Sequence, residues 1–143
     1  MSEEARNGGR RPEWSSAGDG ERGAGLAEFA LVLPLLIVLI FGIFEFGIAF
    51  NRAQAIEAAA REGARLASLS STTAGDITTR VNDTLVGIPL DNPANVVVLP
   101  GGCAGREGEA VTVRVTTLHN VSIPLVLDQD VNLTGEAVFR CEA

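Results

Sequence analysis

Three features of the sequence predict an α+β fold: an apolar segment too long for a strand, a short amphipathic stretch after it, and valine-rich alternation in the last third. The expected architecture is a long N-terminal transmembrane helix extending into solvent, a short second helix and a small antiparallel sheet of about three strands. Residues 1–23 read as a polar leader or cytoplasmic tail, 24–70 as the membrane helix with its extension, and 71–143 as a small extracytoplasmic domain.

The long helix comes first. From Phe29 to Phe50 the only charge is Glu45, with Pro34 and Gly42 also inside the block. Twenty-two helical residues span about 33 Å, enough to cross a hydrocarbon core of about 30 Å. A chain of 143 residues is too small to wrap such a segment on every side as a soluble core helix. Pro34 removes one backbone donor, and a local bend is expected there. Glu45 lies near the outer interface, where a carboxylate reaches water or takes a proton. Beyond Phe50 the run NRAQAIEAAAREGARLASLS keeps helical character, supported by Glu57–Arg61 and Glu62–Arg65 pairs. Ala55, Ala59, Gly63 and Ala67 recur every fourth residue as a face of small side chains on which another backbone can pack closely. The packing partner is either the chain's own C-terminal domain or a neighbouring subunit.

After the SSTTAG loop, Asp76 is a candidate helix cap, with Ile77, Val81, Leu85 and Ile88 sharing a face until Pro89 ends the helix. Asn95–Leu99 reads as a short strand. Val111, Val113 and Val115 alternate with polar residues as a second strand, and Val131, Leu133, Ala137, Phe139 and Cys141 fall on one face of a last one, with Gly135 as a candidate bulge. Leu118–Leu127 is ambiguous around Pro124.

The composition narrows function. The formal charge is −7, all 11 basic residues are Arg, and no basic patch exists, so nucleic acid is not an expected partner. There is one His, no nucleophile elbow and no phosphate loop, which argues against an enzyme, a cofactor, a bound metal or a small-molecule substrate. Cys103 and Cys141 both follow the membrane segment, and in an oxidising compartment their even number favours one disulfide over a metal site. The other arrangement is two buried thiols packing as small apolar groups. Arginines flank both ends of the membrane segment, with a slight excess on the N-terminal side that keeps the N-terminus cytoplasmic.

Glu28 stands where the polar tail meets the apolar helix, and a first-turn acid is favoured there by the helix dipole. In the wider pattern Arg22-Gly23, then Glu28-Phe29-Ala30, then LVLPLL at 31–36 and AAAREGAR at 58–65, the chain resembles type IV prepilin-like proteins. It is more similar to the TadE-like proteins of tight-adherence (Tad, or Flp) pilus systems. The resemblance implies a minor pilin or pseudopilin anchored in a bacterial cell membrane. It implies cleavage by a prepilin peptidase between Gly23 and Ala24, and pairing of Glu28, next to Phe29, with the freed amino group of an adjacent subunit. Other pilin-like subunits and the Tad assembly machinery are then the expected partners. Two alternatives keep a different fate for the chain. One is a single-pass membrane protein with an extracytoplasmic binding domain that is neither processed nor polymerised. The other is a secreted protein cut after Ala53-Gln54-Ala55, although the apolar block exceeds an ordinary signal sequence.

Overall fold

A computed structural model describes residues 19–124 and 126–142. Helix α1 spans Asp19–Ala67 and helix α2 Ala74–Thr84, followed by strands β1 (Asn95–Leu99), β2 (Ala110–Ile123) and β3 (Leu127–Arg140). The chain divides into two compact units, Met1–Leu36 and Ile37–Ala143.

In the first unit the described residues all belong to α1, and every side chain from Gly23 to Leu36 is exposed. Pro34 lies inside the helix without interrupting it. From Gly23 to Ala67, α1 is long and apolar enough to cross a membrane, and none of its most apolar stretch is buried. Leu31 and Leu35, more than 70% exposed, are side chains that water does not favour. The helix starts before Ala24, the residue at which the sequence places its beginning.

The second unit is an α+β domain. Its three strands form one antiparallel sheet in the order β1-β2-β3. β2 pairs with β3 along its whole length, from Ala110 opposite Arg140 to Ile123 opposite Leu127, whereas β1 reaches only as far as Thr116. The segment around Pro124 is therefore a hairpin turn, and the ambiguous Leu118–Leu127 stretch is mostly strand.

Strand alternation decides which residues face inward. Val111, Val113, Val115, Thr117 and His119 are buried, while Thr112, Arg114, Thr116 and Leu118 between them are not. The inward valines join Ile56, Ala59, Ala60, Ala64 and Ala67 of α1, Ile77 and Val81 of α2, and Leu85 just past its end in one core. Each Val or Ile removed from water in this way contributes about 1.5–3 kcal/mol.

Two glycines set the spacing between layers. A Cβ on Gly63 would meet Val81 Cγ2 at 2.6 Å and Val113 Cγ1 at 3.2 Å, so α1 approaches both α2 and the sheet at this residue. Gly135 pairs regularly with Val115, and no bulge forms. Its missing side chain serves a close approach instead: a Cβ there would lie 2.7 Å from the Ile56 carbonyl oxygen and 2.8 Å from Glu57 Cα.

α2 begins with a capping box. Thr73 is the N-cap, its Oγ1 accepting from Asp76 N at 3.2 Å, and the Asp76 carboxylate accepts from Thr73 N at 3.0 Å. Asp76 is thus the third helical residue rather than the cap itself, and the Thr73 hydroxyl, donating to Asp76 Oδ2 at 2.6 Å, followed by the Thr73 backbone N–H, holds its carboxyl below the usual range. The helix ends at Thr84 with Leu85 as C-cap, before Pro89 can act on it.

A disulfide joins Cys103 to Cys141 with their Cα atoms 5.3 Å apart. It fastens the loop after β1 to the end of β3. The same end is tied to α1 by Glu142 N donating to Ser68 O at 2.8 Å.

Candidate functional site

The α1 stripe that meets the domain begins before the core. Val38, Gly42, Glu45 and Ala49 are each half-buried, with their neighbours on the other faces exposed, and the stripe leads at the same helical spacing into buried Arg52 and Ile56. Within it, polar groups from three parts of the chain meet.

Arg52 closes the apolar block, Asp91 lies in the loop after α2, and His119 is on the inward face of β2. Arg52 Nη1 donates to Asp91 Oδ2, and His119 Nδ1 lies 2.9 Å from the same oxygen. Backbone Asn120 N also donates to Asp91 Oδ2, at 3.2 Å. The Arg52 guanidinium first, then His119, holds the Asp91 carboxyl well below the ordinary carboxylate range, at about 2, against the opposing effect of burial. Arg52 can only donate, and its Nη1 also touches His119 Nδ1. That nitrogen serves one neighbour at a time: with a lone pair it accepts from Arg52, and with a proton it donates to Asp91.

The other ring nitrogen faces α1. His119 is 2% exposed, and its Nε2 has no hydrogen-bond partner among the described residues. The nearest acid is Glu45, whose Oε2 lies 4.0 Å away with the side chain 22% exposed. Glu45 therefore turns toward the domain's only histidine rather than standing free at the helix surface. No group of three or more His, Cys, Asp or Glu side chains that could hold a metal ion occurs among the described residues. The cluster is suited to fixing the domain on the helix at the point where the apolar block ends.

The other candidate positions fall as follows. Gly23, Ala24, Glu28 and Phe29 all lie on α1 with exposed side chains or Cα positions, and Glu28 makes no ion pair among the described residues. Pro34 and Phe50 are exposed and Gly42 is half-buried. Ala59, Gly63 and Ala67 are buried against the chain's own α2 and sheet, and Ala55 is half-buried. The small-residue face is thus occupied within one chain. Arg52, Asp91 and His119 have no sequence motif to join them. The available signals are a lone histidine on an apolar strand face and an arginine at the end of an apolar block.

Residues 23–65 match the family described as TadE-like protein. The match begins at the glycine of the candidate cut site and ends in the AAAREGAR run. No curated protein matches the chain significantly, nor does any solved structure.

Proposed function

We propose, from the TadE-like segment at residues 23–65, that this chain is a membrane-anchored minor pilin or pseudopilin contributing to the assembly of a Tad-type adhesion pilus. The family match is the observation that carries this reading. It covers the Gly23-Ala24 junction, Glu28 and the apolar helix together, and the uncovered apolar surface of α1 gives that helix a physical reason to sit in lipid or among like helices.

In this reading the N-terminus is cytoplasmic and the domain extracytoplasmic, where an oxidising compartment maintains the Cys103–Cys141 bond. A prepilin peptidase cuts after Gly23. Glu28 then pairs with the new amino group of a neighbouring subunit, so that two charges costly in hydrocarbon satisfy each other. The role is structural rather than catalytic and uses no cofactor.

The test is Glu28→Ala expressed in the native host. The variant should insert in the membrane at the normal level yet reduce the number of pili per cell. Unchanged pilus number would remove the pairing role.

A further inference from the structure

We infer that the two-stranded end of the β2–β3 hairpin is a strap competing with the bilayer for α1. It lies on the helix when α1 has left the membrane, as in an assembled subunit, and is lifted beyond Asn120 when α1 spans a full hydrocarbon core.

Along α1, Gly63 faces Val113, the Ile56–Glu57 peptide faces Gly135 (paired with Val115), and both Arg52 and Glu45 reach the His119 ring. β2 therefore runs antiparallel to the helix, back along the apolar block, with His119 level with the middle of the Glu45–Arg52 stretch. Four more strand residues carry β2 to Ile123, about 13 Å, or about nine residues of helix, which ends the ribbon at about the level of Ile40. There Val38 and Gly42 are half-buried on one stripe of α1, while Leu39, Ile40 and Phe41 are exposed. Val121 and Ile123 of the ribbon are half-buried as well.

The bilayer needs the same residues. The sequence before Gly23 is polar, so α1 enters hydrocarbon no earlier than Ala24. The fourteen residues from Ala24 to Ile37 span only about 21 Å, whereas a core of about 30 Å takes about twenty residues, to Ile43. Val38 and Gly42 then lie in hydrocarbon, and placing the span later only enlarges the overlap.

The ribbon cannot follow them there. Beyond Thr116 the sheet has lost β1, so the edge of β2 is open. Its outward face carries the pairs Asn120–Asp130 and Ser122–Asp128. Open strand edges and carboxylates are both excluded from hydrocarbon. A full span of α1 and a docked ribbon are therefore alternatives, and leaving the bilayer hands this part of the helix from lipid to the chain's own strap.

The packing suits release at this end alone. An added Cβ would collide with a neighbouring atom at 2.7 Å on Gly135 and at 2.6 Å on Gly63, whereas one on Gly42 would meet nothing within 4 Å. The domain body grips α1, and the ribbon only rests on it. Thr117 Oγ1 donates to Asn92 O at 2.8 Å and Asn120 N to Asp91 Oδ2 at 3.2 Å, which fixes the start of the ribbon. Beyond Asn120 it makes no hydrogen bond to another element among the described residues. A two-stranded ribbon is marginal by itself, so its hold on the helix is weak enough for a bilayer to displace.

This inference rests on α1 being a membrane anchor, and the experiment separates the two. The full chain, with nitroxide labels on Phe46→Cys and Val126→Cys and the native disulfide intact, is reconstituted in dilauroyl, dioleoyl and dierucoyl phosphatidylcholine, whose hydrocarbon cores run from about 20 to about 35 Å. Double electron–electron resonance reads the distance between the labels. It should be short in the thin bilayer, which the Ala24–Ile37 stretch can cross, and longer in the thick one by about 10 Å, the length of ribbon beyond Asn120. A second pair within the domain body, Arg61→Cys with Thr134→Cys, should keep one distance throughout. If the first distance is the same in all three bilayers while the chain resists carbonate extraction, the strap is wrong and the anchor stands. Movement of both pairs also overturns the strap, because the whole domain then leaves the helix. Recovery of the chain in the soluble fraction removes the anchor and the strap with it. Ser122→Cys, facing outward on the ribbon, takes the place of Val126→Cys should that variant not fold.

Discussion

Gly135 of β3 lies directly against the peptide of Glu57 in α1, leaving no room for a methyl group between strand and helix. Both obstructing groups are backbone, so neither can rotate aside. Gly135→Ala should therefore destabilise the domain by about 1–3 kcal/mol, as overpacking does. A thermal melt in detergent should show a fall of roughly 4–8 °C for each kcal/mol in a domain of this size. A melt unchanged within a degree or so would show that the strand can lift away from the helix.

Gly63 gives the contrasting case. A methyl group there meets side-chain carbons of Val81 and Val113, which can give way, and alanine in a helix is favoured over glycine by about 1 kcal/mol. Gly63→Ala should thus cost clearly less than Gly135→Ala in the same melt. The reverse order would mean that the Val81 side chain is held as firmly as backbone.

Asp91 links stability to pH. Its carboxyl is held at about 2 in the folded protein, below the unfolded value, so the stabilisation is present above about pH 4 and is lost as pH falls through about 2. Asp91→Asn should remove that acid-side dependence and leave Arg52 and His119 without their anion. The expected cost near neutral pH is about 1–2 kcal/mol, less than for a fully buried pair because the Asp91 side chain is 34% exposed. Denaturant midpoints measured from pH 6 down to 2 for both proteins check this. Parallel curves would contradict it.

The Cys103–Cys141 bond closes a loop with a sequence separation of 38. Chain-entropy arguments put its contribution at roughly 4 kcal/mol. Cys103→Ser with Cys141→Ser should lower the melting midpoint substantially and abolish the mobility difference between reduced and unreduced protein on a gel. An unchanged midpoint would show that the contacts of Glu142 with Ser68 already fix this end.

Patterns of one period were readable from the sequence, and relations between distant segments were not. The 3.6-residue period marked α2 and the two-residue period the buried valines of β2, while a continuous apolar block marked α1 and a short apolar run β1, because each rests on a local pattern of apolar side chains. The small-residue face at Ala59, Gly63 and Ala67 was visible too, but not what fills it, since that depends on how the chain returns. Gly135 looked like a bulge because a glycine in a strand signals either irregular pairing or a close neighbour, and the neighbour lies in another element. The Arg52, Asp91 and His119 cluster was invisible for the same reason. Its members are 39 and 67 residues from Arg52 in sequence, and only the antiparallel course of β2 along α1 brings them together.

The central claim is that α1 belongs to a processed pilin-like subunit, and the mature N-terminus tests it most directly. Mass spectrometry of the membrane form from a host with an active prepilin peptidase should find Ala24 as the first residue. Recovery of that form with Met1 and the residues after it intact would contradict the account.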